Sequence, residues 1–175
     1  MDFNSLDRLY TLFQYFAGVT TDSRKITPEA MFIALKGENF DGNNFAQSAL
    51  DQGARVVVVN GESDFARDYL SRGDSSDRVF IVEDTLEALQ ALARFHRSHF
   101  NIPVIALTGT NGKTTTKELL SAVLSRKYNV TFTQGNLNNH IGVPLTLLRM
   151  TEETEAAVVE MGANHPGEIA LLMSI

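Results

Sequence analysis

The chain has 175 residues, 43% hydrophobic and 21% charged, with a net charge of -6 and no cysteine. That composition suits one or two small globular cores. It excludes a disulfide framework and cysteine metal sites, and it lacks the basic footprint of bulk nucleic-acid binding. The start, Met1-Asp2-Phe3-Asn4, has no signal-peptide pattern. No apolar run approaches the ~18 residues that a membrane span needs. A soluble, cytoplasmic monomer with no membrane or nucleic-acid partner is expected.

Residues 6–17 repeat apolar side chains at three- and four-residue steps, which predicts an amphipathic helix stopped near Gly18. Thr21-Asp22-Ser23-Arg24-Lys25 is a polar turn, readable equally as a basic turn or an anion site. Residues 31–35 read as a short buried strand, 36–42 as a loop with two glycines, and 45–50 as a helix ending at Gly53. Residues 55–59 form a β-branched buried strand. A short helix over 64–70, a loop over 72–77 and a strand over 79–82 follow. Asp84 then reads as a helix N-cap with Glu87 in capping-box register. Early acids and late bases (Arg94, Arg97) suit that helix's dipole, a role that also suffices for His96 and His99. A domain boundary is placed near residue 83, giving domains 1–83 and 84–175. Beyond it, the pattern predicts a helix over 116–126, a strand over 129–133, a polar turn over 134–144, a helix over 145–150 and a strand over 156–161. The final segment, 171–175, reads as an apolar half-helix, as in a piece of something longer. Alternating strands and helices predict an α/β fold with parallel sheets: a small N-terminal α/β domain, then the first part of a phosphate-loop ATPase sheet.

The most informative stretch is Thr108-Gly109-Thr110-Asn111-Gly112-Lys113-Thr114-Thr115. An apolar strand leads in and helix formers lead out, the setting in which a phosphate-binding loop works. Glycines let backbone N–H groups turn inward, and the following helix aims its positive end at the same spot. Lys113 would reach the terminal phosphates and the Thr114 hydroxyl would hold a magnesium ion. The loop is a short variant, because Leu107 stands where the longer pattern has its first glycine. Glu160 closes an apolar strand on the side of a parallel sheet where ligands bind, so its carboxylate is a second candidate for magnesium rather than a solvated strand-end acid. Asn136, Asn138 and Asn139, taken by themselves, read as turn formers. His140 and His165 lack a metal-ligand partner at a usable spacing.

These residues resemble the Mur ligases, whose ATP loop has this short form. The segments 134–144 and 160–169 are similar to one branch in particular, and 21–25 and 34–42 to the N-terminal domain of the same branch. The resemblance runs from about residue 20 to the end. It implies an enzyme that joins D-alanyl-D-alanine to UDP-N-acetylmuramoyl-tripeptide, with ATP and Mg2+, through an acyl phosphate. It implies a nucleotide loop of Gly109, Thr110, Asn111, Gly112, Lys113, Thr114 and Thr115, with Lys113 catalytic and Thr114 and Glu160 on magnesium. Ser23 and Arg24 would contact the UDP portion. Asn136, Asn138 and Asn139 would face the substrate, which reverses the turn-former reading. Family members are much longer, and their second-metal, adenine and incoming-amine residues would fall beyond Ile175, so this stretch alone is not expected to ligate. Other readings are a non-catalytic nucleotide-sugar-binding module, the preceding amino-acid-adding ligase, a folate–glutamate ligase, or a phosphate-loop kinase or hydrolase. The short loop and the asparagine segment speak against the last.

Overall fold

The computed structural model describes residue 1, residues 3–73 and residues 76–175. The loop expected over 72–77 includes Asp74 and Ser75, which lie outside the described residues. The chain divides into two compact units, Met1–Ala91 and Leu92–Ile175.

In the first unit, α1 (Phe3–Gln14) precedes four parallel strands: β1 (Val19–Thr20), β2 (Met31–Ile33), β5 (Val56–Asn60) and β6 (Val79–Val82). Their order in the sheet is β1-β2-β5-β6. Val56, Val57, Val58 and Val59 are all buried, as a central parallel strand requires of both its faces. Phe32, Val57 and Val59 pack with the small residues Ala34, Ala46, Ala49, Ala54 and Ala66. The alanines come from helix and loop segments and let α2 (Ala46–Asp51) and α3 (Asp64–Ser71) lie close to the sheet. The segment read as a plain loop over 36–42 contains a small hairpin, β3 (Lys36–Gly37) against β4 (Phe40–Asp41). Two-residue strands are too short to show alternation, which is also why β1 escaped the sequence reading. The Asp41 carboxylate then caps a 3-10 turn, Gly42–Phe45, by accepting from Asn43 N.

The helix that follows β6, α4 (Thr85–Ser98), starts as expected: Asp84 Oδ1 accepts from Leu86 N at 2.7 Å and Glu87 N at 2.9 Å. The Glu87 carboxylate is engaged elsewhere, 2.9 Å from the N-terminal amine.

The second unit holds the end of α4 and a three-stranded parallel sheet. Its strands are β7 (Val104–Leu107), β8 (Val130–Phe132) and β9 (Ala156–Glu160), in the order β7-β9-β8. Between them lie α5 (Lys113–Leu124) and α6 (Gly142–Leu147), and α7 (Glu168–Met173) comes last. Two helices begin three residues earlier than the sequence predicted. α5 opens at Lys113 because Gly112 takes a left-handed conformation (φ +78°) that starts the first turn, with Thr116 N on Gly112 O at 2.9 Å. α6 opens at Gly142 because the Asn139 carboxamide accepts from Ile141 N and Gly142 N, and because Pro144 sits in the first turn, where a missing N–H costs nothing. His96 does more than answer a helix dipole. It is buried, its Nε2 is 3.0 Å from Met150 O, and its ring meets Phe100 edge-on. Among the described residues no helix is long and apolar enough to cross a membrane.

Candidate functional site

The parallel register sets Leu107 beside Glu160, so the loop after β7 and the carboxylate ending β9 share one end of the sheet. Parallel strands gather their ligand-binding loops at this end. Thr110, Asn111, Thr114 and Thr115 are exposed around the loop, and Lys113 is half-buried. Lys113 Nζ donates to Gly109 O at 2.5 Å, which curls the lysine back over its own loop. The N-terminal turn of α5 aims unpaired N–H groups into the same space.

Glu160 is 1% exposed. Its Oε1 accepts from Asn138 Nδ2 at 2.8 Å and from Thr114 Oγ1 at 3.2 Å. Its Oε2 is buried and has no hydrogen-bond partner among the described residues. A buried carboxylate oxygen without a donor is costly unless a cation sits against it. Oxygen ligands from a carboxylate and a hydroxyl are what magnesium takes. The residues present therefore fit that ion, which Thr114 and Glu160 would hold. No group of three or more acidic, histidine or cysteine side chains suited to a metal occurs among the described residues. A cation here would therefore rely on the hydroxyl, on phosphate oxygens and on water.

The three asparagines part company. Asn138 reaches Glu160, and its carbonyl accepts from Gly162 N at 2.7 Å, tying the polar turn to the segment after β9. Asn139 caps α6 with its side chain. Asn136 is exposed and its carbonyl accepts from Asn138 N. His140 and His165 are exposed. Asn164 N and then His165 N donate to Glu168 Oε2, holding that carboxyl below its ordinary range.

Two residues here escaped the sequence reading. Thr133 is fully buried, and its hydroxyl accepts from Glu160 N at 2.9 Å. Lys117 is also fully buried; its ammonium donates to Thr133 O at 2.8 Å and Gly135 O at 3.4 Å and lies 2.6 Å from Glu118 Oε1. The available signal was spacing: Lys117 follows Lys113 by one helical turn, so both leave α5 on one face.

Ser23 and Arg24 lie in the first unit, on a cleft of about 580 Å³ lined by Thr21, Asp22, Ser23, Arg24, Phe40 and Phe45. The Arg24 guanidinium grips Asp22 through two bonds of 2.8 and 2.9 Å, and Arg24 N adds a third at 3.1 Å. The side-chain bond to Arg24, more than the backbone one, brings the Asp22 carboxyl down to about 2. The Phe40 and Phe45 rings stack 6.0 Å apart, both exposed on the cleft. A flat apolar ligand and an anionic one could each find a partner there.

Comparison with known proteins accounts for both units. Residues 15–97 match the model of the Mur ligase family catalytic domain, and residues 107–175 match the Mur ligase middle domain. The chain is 47% identical over 157 residues to the UDP-N-acetylmuramoyl-tripeptide–D-alanyl-D-alanine ligase of Escherichia coli K12, covering 90% of this chain and 32% of that protein. It is 46% identical to the enzyme of the same name from Bacillus subtilis 168, covering 89% and 32%. The crystal structure of MurF from Acinetobacter baumannii superposes with a TM-score of 0.78 at 36% identity, over 95% of this chain and 37% of that one. MurF from Thermotoga maritima, solved in complex with ADP, gives 0.74 at 35%, over 92% and 35%. The chain thus spans about a third of the length of the curated relatives it matches. With two successive segments of one family matched in order, the chain belongs to the Mur ligase family.

Proposed function

We propose that this chain supplies the UDP-substrate domain and the start of the ATP-binding domain of a ligase that joins D-alanyl-D-alanine to UDP-N-acetylmuramoyl-tripeptide. The observation that carries the reading is Glu160: a buried carboxylate facing Thr114 at the mouth of a phosphate loop, with one oxygen unpartnered among the described residues. Relatives bearing that enzyme's name, and a similar structure holding ADP, support it.

The chemistry follows from what the residues can hold. A carboxylate is a poor electrophile, so the tripeptide's terminal carboxylate takes the γ-phosphoryl group of ATP and ADP leaves. The amine of D-alanyl-D-alanine then attacks the acyl phosphate, and phosphate departs as the amide forms. The residues of this chain serve the first step. The N–H groups of residues 109–115 and the start of α5 cradle the phosphates, and Lys113 leaves the Gly109 carbonyl to meet developing charge on the phosphoryl oxygens. Thr114 and Glu160 would hold magnesium, which when bound would supply charge neutralisation for the phosphates. Asn138 fixes the orientation of the Glu160 carboxylate, and Asn136 and Asn139 border the substrate side. In the first unit, Ser23 and Arg24 hold the UDP portion, with Phe40 and Phe45 beside it.

Calorimetric titration of the full-length protein with ADP, with and without Mg2+, tests the nucleotide site. Phosphate release that requires ATP, the UDP-tripeptide and D-alanyl-D-alanine together tests the reaction. Release at the same rate without the dipeptide would overturn the ligase reading. The 175-residue stretch alone should bind nucleotide without forming the amide.

A further inference from the structure

We infer that Lys117 is a positioning residue for the metal carboxylate, resting on the assignment of magnesium to Thr114 and Glu160. A lysine with no exposed surface is expensive to bury unless its ammonium is fully paired. Its ammonium spans the gap between α5 and the end of β8, donating to the carbonyls of Thr133 and Gly135 and pairing with Glu118. Those carbonyls frame the turn that aims two groups at Glu160. The Thr133 hydroxyl accepts the Glu160 N–H, and the Asn138 carboxamide donates to Glu160 Oε1. Lys117 therefore acts on Glu160 through Thr133 and the 135–138 turn. Lys113, one helical turn earlier, acts directly on phosphate. One helix thus carries two lysines with separate tasks: the first binds the nucleotide, the second sets where the cation's ligand stands.

The distinction is measurable without turnover. In the full-length protein, ADP affinity is titrated calorimetrically in EDTA and across a series of Mg2+ concentrations, for the wild type and Lys117→Met. The variant is expected to raise the half-saturating Mg2+ concentration roughly tenfold, the scale seen when residues behind a metal ligand are removed, while metal-free ADP affinity moves less than about twofold. Lys117→Arg, which keeps a buried donor, should recover part of the Mg2+ response. An unchanged Mg2+ requirement in a folded Lys117→Met protein overturns the inference. So does an equal loss of metal-free ADP binding. If Lys117→Met does not fold, Lys117→Gln takes its place in the same titration, and failure of both to fold assigns Lys117 to stability alone. If wild-type ADP binding does not respond to Mg2+, the magnesium assignment itself falls, and this inference with it.

Discussion

The Lys113 side chain donates to the Gly109 carbonyl of its own loop. Lys113→Ala should therefore weaken ADP binding by at least about tenfold, the loss of a charge-assisted phosphate contact, and leave the far-ultraviolet circular dichroism unchanged. Unaltered ADP affinity would remove Lys113 from the site. His96 gives a pH prediction. Burial lowers its proton affinity in the folded chain, outweighing the bond to Met150 O, so the unfolded chain takes up the proton more readily. Stability should be complete above about pH 6.5, decline as the pH falls below that, and level off once the folded imidazole also protonates. Urea denaturation at pH 8 and pH 5.5 reads the difference, and His96→Gln should shrink it. At this scale the sequence was most legible where chemistry is local. Gly112, Lys113 and Thr114 are neighbours in a motif, and Glu160 ends an apolar run. Thr133 and Lys117 were not legible, because what defines them is a backbone carbonyl or N–H far along the chain.

The elements answer to backbone geometry, and two glycines separate its forms. A Cβ at Gly112 would meet no atom within 4 Å, so Gly112→Ala costs only the left-handed conformation, about 1–2 kcal/mol. A Cβ at Gly142 would come within 2.2–2.5 Å of the Leu137 backbone, where nothing flexible can yield. Gly142→Ala should cost about 3 kcal/mol and displace the turn that carries Asn138. Thermal melting of both variants checks the order: a Gly142→Ala protein no less stable than Gly112→Ala would contradict the packing of α6 beneath that turn. The same turn shows why helix starts were misplaced in the sequence reading. Pro144 and Gly142 look like breakers, yet a side chain three residues earlier, Asn139, caps the helix and makes the first turn hospitable to both. The hairpin at 36–41 was hidden for a different reason: each of its strands is two residues long.

For the molecule as a whole, each compact unit carries one candidate ligand site. UDP binding should weaken several-fold in Arg24→Ala and hold in Lys113→Ala, and ADP binding should show the reverse. Calorimetry with each nucleotide separately would expose a shared site if either variant lost both. The parallel α/β character of both units was legible from alternating apolar runs and helix signals. The strand order β7-β9-β8 was not, since no local pattern says that the last strand made belongs in the middle. That order bears on synthesis. As the chain leaves the ribosome, β7 and β8 emerge with no partner for either, and the phosphate loop has nothing to hold its register. Closing the roughly fifty residues from Leu107 to Glu160 costs about 3.5 kcal/mol of chain entropy, recovered only when β9 inserts between its neighbours. A nascent chain released before residue 160 would carry the whole nucleotide motif and still bind no nucleotide.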